Sequence, residues 1–135
     1  MGLKIKDIIV KKEILLRDLK GKVLVVDAQN MLYQFLTTIR SIDGRPLTNS
    51  KGEVTSHLIG LFNRVTSLME EGLKLCFVFD GKAPDLKKIT WEKRATVKKE
   101  ASVLLKKAEA AGDIEGMRKY SARTVVLTKE MIVQA

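Results

Sequence analysis

Two short apolar runs, each ending in an aspartate, constrain the fold of this chain more than any other feature. The first covers residues 23–26 and ends at Asp27, and the second covers residues 75–79 and ends at Asp80. Consecutive apolar residues over so short a span are typical of strands buried on both faces, as in a parallel sheet. Ligands bind at the carboxyl ends of parallel strands. If the two strands are neighbours, Asp27 and Asp80 face one cleft.

The patterns around these runs predict helices. Apolar residues recur at spacings of three and four over Gln29 to Arg40 and over Thr55 to Glu71, with a loop at 41–54 that holds turn residues. In the second of these helices, the predicted buried stripe consists of Leu58, Leu61, Phe62, Val65, Leu68 and Met69. Thr55 or Ser56 is the expected N-cap of the second helix. Apolar residues before position 20 predict a short amphipathic helix or turn. Strand, helix, loop, helix and strand together predict a right-handed parallel crossover.

The character of the chain changes after the second strand. Residues 85–123 are rich in Lys, Glu and Ala and predict helices with thin apolar stripes and a break at 111–113. Thr128 is the expected N-cap of a last helix, which we expect to be truncated. We therefore divide the chain into an α/β core at 1–84, a helical segment at 85–127 and the start of a further helix at 128–135.

Charge and cysteine usage narrow the class of protein. The net charge is +9, with +3 on residues 1–80 and +6 on residues 81–135. This imbalance favours a polyanionic partner, although a generally basic surface is the simpler alternative. Cys76, the one cysteine, lies in the second strand and is expected to be an inert core residue. No disulfide can form, which suits a reducing cytoplasm, and we expect neither a signal peptide nor a membrane partner.

The strand-end aspartates allow two interpretations. Strand-terminal aspartates often cap the following helix, whereas two carboxylates at one edge are ligands that Mg²⁺ prefers. Two such ions can promote phosphodiester hydrolysis, but two carboxylates are too few to hold them, so further ligands must come from elsewhere. An aspartyl-phosphate mechanism is disfavoured because neither Asp27 nor Asp80 is followed two residues later by a second aspartate.

Basic residues after the second strand suggest a phosphate clamp. Lys87 and Arg94 are seven residues apart, which is about two helical turns, so both point the same way on a helix. They could grip a scissile phosphate, or they could be solvated helix charges. Lys98 is expected on a different helical face, where it contributes mainly to salt-dependent binding. His57, the one histidine, has no Cys or His companion and is expected to be structural or capping.

Four segments carry a specific resemblance: VVDAQNMLYQFLTTIR (25–40), DGRPLTNSKGEVTSHLIGLFNR (43–64), VFDGKAPDLKK (78–88) and RKYSARTV (118–125). In order and spacing they resemble the N-terminal part of the flap endonucleases. These are archaeal and eukaryotic structure-specific 5′ nucleases related to the XPG nucleases. The chain departs from that pattern at Ala83, where a second proline is common.

The resemblance implies a parallel-sheet, PIN-like nuclease core with a basic helical arch at about 85–125. It implies cleavage of 5′-flap DNA with two Mg²⁺ ions in replication and repair. The implied metal ligands are Asp27 and Asp80, and the implied catalytic pair is Lys87 and Arg94. Tyr33 matches an aromatic that stacks on DNA. The residues implied to contact DNA are Gly2, Tyr33, Gln34, Arg40, Thr55, Lys88, Lys93 and Lys98.

The resemblance covers roughly the first two-fifths of the family's length. The family's later metal ligands, its helix-hairpin-helix and its sliding-clamp motif have no counterpart in this sequence. We therefore expect a C-terminal nuclease half, in the same longer chain or a separate polypeptide, and the sliding clamp reached through it. The expected location is cytoplasmic and nucleoid-associated, or nuclear in a eukaryote. The alternative function is a non-catalytic module that binds single-stranded or flap DNA.

Overall fold

The computed structural model of the chain describes residues 8–81 and 88–135, and the side chains of residues 88–94 also lie outside that description. Before the first strand, where the sequence predicts a short amphipathic helix or turn, the described residues form a 3-10 turn at Leu16–Leu19. The elements that follow are β1 (Val23–Asp27), α1 (Ala28–Thr38), α2 (Ser56–Glu70), β2 (Lys74–Val78), α3 (Lys88–Ala111), α4 (Ile114–Thr124) and α5 (Lys129–Gln134). This order confirms the predicted α/β fold, with boundaries shifted by one or two residues.

The two strands form a small parallel sheet, as predicted. Val23 pairs with Lys74, and the register continues to Asp27 opposite Val78. Side chains alternate along each strand, so that Leu24, Val26, Leu75 and Phe77 are half-buried on the side of the sheet where α1 and α2 pack.

The prediction that both sheet faces are buried is wrong. Val25 is 72% exposed and Val23 is 61% exposed, and Val78 and Cys76 are exposed beside them. The described helices pack on one face of the sheet only, so alternate residues on the other face have no layer above them. The prediction of Cys76 as a core residue is wrong for the same reason.

The core lies between α1 and α2. Leu32 and Leu36 of α1 are fully buried, and they face a side of α2 that carries the buried residues Ser56, His57 and Gly60. A side-chain carbon at position 60 would lie 2.3 Å from Cγ of Phe35, so glycine is required where the two helices approach.

This close approach rotates the apolar stripe of α2 away from α1. The sequence predicts that stripe as buried, yet Phe62 is 69% exposed and Met69 is also exposed. Leu58, Leu61 and Phe62 instead line an apolar groove of about 720 Å³ between α1, α2, β2 and α5. The predicted stripe is half-buried at Leu58, Leu61, Val65 and Leu68, and the prediction is wrong at Phe62 and Met69. Phe62 is exposed because the described residues leave this groove unfilled.

The helices α3 and α4 form an antiparallel hairpin, and α4 contacts α1 of the core. The predicted break at 111–113 is confirmed, and Asp113 caps α4 by accepting a hydrogen bond of 2.9 Å from the Gly116 backbone. Ala101 and Ala108 are buried along α3. Thr128 caps α5, as predicted. Among the described helices, none combines the length and apolar character needed to cross a membrane.

Candidate functional site

Asp27 occupies the junction between β1 and α1. Its Oδ1 accepts a hydrogen bond of 2.9 Å from the Asn30 backbone, so it is the N-cap of α1. The second carboxylate oxygen accepts no hydrogen bond from the described residues, and the side chain is exposed. The capping role and a cation-binding role are therefore compatible, since each uses a different oxygen.

Asp80 follows the C-terminal end of the adjacent strand, β2. Strand β2 ends at Val78, two residues earlier than the sequence predicts, and Val78 is the register partner of Asp27. Asp80 follows two residues later, and its side chain is exposed. The parallel pairing thus brings the two predicted metal ligands to one edge of the sheet.

Two exposed carboxylates suit a hard divalent cation, which takes oxygen ligands and retains several waters. Across residues 8–81 and 88–135, however, no group of three or more acidic, cysteine or histidine side chains could hold a metal ion. Two carboxylates are too few for a complete metal site, and the role of Asp27 and Asp80 as metal ligands stays a prediction.

A cleft of about 450 Å³ adjoins Asp27 and includes a basic residue that the sequence analysis missed. Asn30 and Gln34 of α1 line this cleft, and Arg64 of α2 lines it too. Arg64 is the one Lys or Arg within α2. The sequence did contain a signal for Arg64, since it is an isolated arginine in a helix that has no other basic side chain. The cleft combines a carboxylate, two amides and a guanidinium, a set that can bind both a cation and a phosphate.

Two of the predicted DNA-contacting residues project from α1. Tyr33 is 37% exposed and lies off the buried stripe, and Gln34 is exposed beside it. Both side chains are therefore accessible to a ligand, and their DNA contacts stay predictions.

Arg40 points inward rather than towards solvent. Its Nη1 donates to the Gly44 carbonyl at 2.6 Å and to Ser121 Oγ at 2.9 Å, and its Nε donates to the Thr37 carbonyl at 3.0 Å. Its Nη2 is buried without a hydrogen-bond partner among the described residues. Burial lowers the pKa of Arg40, with Tyr33 opposing that effect. The predicted DNA contact of Arg40 stays a prediction.

Ser121 completes this arrangement from the opposite side. Its hydroxyl, on α4, is buried, donates to the Gly44 carbonyl at 2.7 Å and accepts from Arg40. Gly44 has φ +80°, and a side-chain carbon there would lie 2.7 Å from Cα of Arg118. We call Arg40, Gly44 and Ser121 the Arg40–Ser121 network. It ties the loop between α1 and α2 to the α3–α4 hairpin, and no local sequence signal reveals it.

Thr55 stands at the N-cap position of α2, but its side chain makes no cap hydrogen bond. The neighbouring Ser56 instead holds the loop, because its hydroxyl accepts from the Leu47 backbone at 2.8 Å and donates to the Ile39 carbonyl at 2.7 Å. Thr55 remains half-buried, and its DNA contact stays a prediction.

His57 is fully buried at the start of α2. Neither ring nitrogen has a partner with hydrogen-bond geometry among the described residues. Burial lowers the pKa of His57, although the Gln134 side chain and the Met131 backbone of α5 oppose that effect. His57 is therefore a neutral core residue, in line with the structural role predicted for it.

The basic hairpin carries several of the predicted contacts. Gly2 and Lys87 lie outside the described residues, and Lys88, Lys93 and Arg94 are described only by their backbone within α3. Residues 88–124 contain ten Lys or Arg and five Asp or Glu, a net charge of +5. A surface of this kind attracts polyanions.

One prediction about this hairpin is wrong. The sequence analysis placed Lys98 on a different helical face from Arg94, but α3 is continuous from Lys88 to Ala111. Residues four apart on one helix lie on the same side. Lys98 therefore lies one turn beyond Arg94 and shares its side of the helix.

Comparisons with known proteins cover most or all of the chain. The family described as the XPG N-terminal domain matches residues 2–101. Flap endonuclease 1 of Pyrococcus abyssi is 50% identical over 135 residues, which are all of this chain and 39% of that protein. Flap endonuclease 1 of Methanosphaera stadtmanae is 47% identical over 132 residues, covering 98% of this chain and 40% of that protein.

A solved structure agrees with these sequence matches. The flap endonuclease-1 from Methanococcus jannaschii superimposes with a TM-score of 0.61 at 41% identity. The match covers 98% of this chain and 42% of the solved one. The chain thus spans about two-fifths of the length of the relatives it matches.

Proposed function

The chain belongs to the XPG N-terminal domain family, and from that premise we propose that it is the N-terminal portion of a flap endonuclease. The complete enzyme would cleave phosphodiester bonds of 5′-flapped DNA in replication and repair. The observation that carries this proposal is the pair of exposed carboxylates, Asp27 and Asp80, at the carboxyl ends of two paired parallel strands, in a chain that also carries a basic helical hairpin.

Asp27 and Asp80 would hold the divalent cations, with Mg²⁺ as the expected ion and two ions in the complete site. Their exposed oxygen atoms fit a hard cation, and the free oxygen of Asp27 is available while the other caps α1. When bound, the cations supply Lewis-acid activation for phosphodiester hydrolysis. The remaining ligands would come from the part of the family's length that this chain does not span.

The basic residues would bind and orient the DNA. Lys87 and Arg94 would grip the scissile phosphate, and Arg94 suits this role because a guanidinium binds phosphate through two hydrogen bonds. Arg64, in the cleft beside Asp27, would add a further phosphate contact near the cation site. The α3–α4 hairpin, with a net charge of +5, would attract the single-stranded flap.

Other DNA contacts would come from residues around α1. Tyr33 would stack on a base, since its ring is accessible and every base has an aromatic face. Gly2, Gln34, Arg40 and Thr55, together with Lys88, Lys93 and Lys98, would complete the DNA contacts that the resemblance implies. A sliding clamp is the expected protein partner of the complete enzyme, and a cytoplasmic, nucleoid-associated location is expected.

Cleavage assays with and without the missing portion test this function. The chain alone should show no appreciable cleavage of a 5′-flap substrate in Mg²⁺, while single-stranded DNA should still bind and should dissociate as salt rises. The chain expressed together with the remaining portion of a flap endonuclease should cleave the flap, and EDTA should abolish the reaction. DNA binding without metal-dependent cleavage in that complex would favour the alternative, a non-catalytic DNA-binding module.

A further inference from the structure

The cleft beside Asp27 contains a side chain to which the proposed function gives no role. Asn30 lies one turn along α1 from Asp27, and its backbone N–H donates to Oδ1 of Asp27. Its side-chain amide is exposed, lines the cleft, and makes no hydrogen bond to the residues that the structure describes. An amide beside a candidate cation site, with no partner in the described chain, is available to a ligand of that site.

Asn30 belongs to a polar row on α1 that leads away from the strand ends. Asp27, Asn30 and Gln34 follow one another at spacings of three and four residues, so they share one side of the helix. With a rise of 1.5 Å per residue, Asn30 lies about 4.5 Å and Gln34 about 10 Å from Asp27 along the helix axis. A DNA strand advances about 3.4 Å per nucleotide along its own axis. Asn30 is therefore one or two nucleotides away from a phosphate held at Asp27.

Charge divides the contacts of the cleft between its two helices. Arg64 of α2 is the one cation among the residues that line the cleft, and it forms no ion pair within residues 8–81 and 88–135. A guanidinium binds phosphate through two hydrogen bonds, whereas an uncharged amide contributes little to the affinity for phosphate. The backbone phosphates therefore suit Arg64, and the amide of Asn30 suits the polar edge of a base.

We propose that Asn30 is a specificity-determining residue, whose amide hydrogen-bonds the edge of a nucleobase flanking the scissile phosphate and so determines which phosphodiester is cut. This inference rests on the proposed function and adds the contact that sets the position of cleavage. Every base pair presents acceptors in the minor groove, and guanine adds a donor there. An amide carries both donors and an acceptor, so Asn30 can bond to any base pair. The contact fixes the position of the strand without selecting a sequence.

Product mapping tests this role in the completed enzyme, which is this chain expressed with the remaining portion of a flap endonuclease. The readout is the ratio of product cut at the main position of a 5′-flap duplex to product cut at the neighbouring phosphodiesters. Asn30→Ala should lower that ratio about fivefold, as expected for the loss of one neutral hydrogen bond. The salt dependence of DNA binding should not change, because Asn30 carries no charge. Asn30→Gln keeps the amide and should restore part of the ratio.

Asn63→Ala is the matched control for this measurement. Asn63 is also an exposed asparagine within a helix and directly precedes Arg64, but it does not line the cleft. This variant should leave the product ratio unchanged, and circular dichroism of each variant checks that the helices are retained. A uniform fall in cleavage with an unchanged ratio in Asn30→Ala overturns the proposal, and so do equal changes of the ratio in the two alanine variants.

Disulfide crosslinking tests the contact without relying on cleavage. Cys76 is the one cysteine of this chain, so Asn30→Cys combined with Cys76→Ser leaves a single thiol, provided that the cysteines of the remaining portion are also replaced by serine. The protein is mixed, without divalent cations, with flap DNA that carries a thiol tether on one base at a time. Tethers on the bases flanking the expected cleavage position should crosslink about tenfold more than the same tethers do with Asn63→Cys, because proximity favours the reaction.

The pattern of crosslinks separates the possible outcomes. Equal yields at every tethered base, or no crosslink beside the expected cleavage position, overturn the proposal. Position-specific crosslinking in a complex that fails to cleave flaps once Mg²⁺ is added would contradict the proposed function while leaving the DNA contact of Asn30 intact.

Discussion

Removing the Ser121 hydroxyl tests whether the Arg40–Ser121 network holds the basic hairpin against the core. Ser121 is 7% exposed, and its hydroxyl both donates to the Gly44 carbonyl and accepts from Arg40. A hydrogen bond to a charged group contributes about 1.5–3 kcal/mol and a neutral one about 1 kcal/mol. Because Arg40 is only half-buried and its Nη1 keeps the Gly44 carbonyl as a partner, Ser121→Ala should lower the free energy of unfolding by about 2 kcal/mol.

A double-mutant cycle isolates the contact between the two side chains. Arg40→Met retains the apolar stem and removes the guanidinium, and we expect a loss of about 2–3 kcal/mol from its three hydrogen bonds. The double variant should lose about 1 kcal/mol less than the sum of the single losses, because groups that share a hydrogen bond are coupled. Urea unfolding at constant m value gives each free energy.

The matched control is Arg45→Met in the same loop. Arg45 pairs with Glu109 of α3 at 3.5 Å, but both side chains are substantially exposed. Exposed ion pairs contribute under about 1 kcal/mol, so this variant should lose much less than Arg40→Met. Single losses that add to within about 0.3 kcal/mol would refute the inferred coupling between Arg40 and Ser121. Equal losses for the two arginine variants would show that burial of the Arg40 guanidinium is unimportant.

Three further perturbations test the site. In the completed enzyme, Asp80→Ala should abolish Mg²⁺-dependent cleavage and leave flap binding largely intact, because lysine and arginine supply most of the affinity for phosphate. Equal losses of cleavage and of flap binding would count against a metal-ligand role for Asp80. Arg94→Ala should slow single-turnover cleavage about 100-fold, which is equivalent to about 3 kcal/mol. Lys99→Ala is the control and should change only salt-dependent binding. Equal cleavage rates for the two variants would show that Arg94 is an ordinary surface charge. Burial lowers the folded-state pKa of His57, so the unfolded chain binds more protons as the pH falls through about 6.5. Stability should therefore fall as the pH drops from 7.5 to 5.5, and His57→Gln should reduce that fall in urea titrations.

The sequence predicted the elements that depend on local patterns. Strand β1 ends at Asp27 because the apolar run stops there, and the Thr128 cap follows from a polar residue at a helix start. The position of Asp27 and Asp80 at the same end of the sheet followed from the predicted parallel pairing of the two strands. These features lie within one element or one connection, so periodicity and capping are sufficient to predict them.

Contacts between distant segments escaped prediction. The exposure of Cys76 depends on which layers pack on the sheet, and an apolar residue in a strand looks the same with or without a covering layer. The inward turn of Arg40 depends on Ser121, which is 81 residues away in sequence. Gly60 determines which side of α2 faces α1, but a single glycine within a helical pattern does not predict that orientation. Each of these features is set by packing partners that local sequence does not specify.

The apolar groove beside α2 has a consequence for synthesis of the longer relatives. In such a protein the segment equivalent to this chain leaves the ribosome first, and in this chain the side chains of Leu61, Phe62 and Phe79 line a groove that the described residues leave unfilled. At about 5–20 residues per second, the rest of the polypeptide follows over roughly 10–40 s. During that interval the nascent segment presents a surface that general chaperones bind, so its yield in cells should depend on chaperone supply more than that of the finished protein.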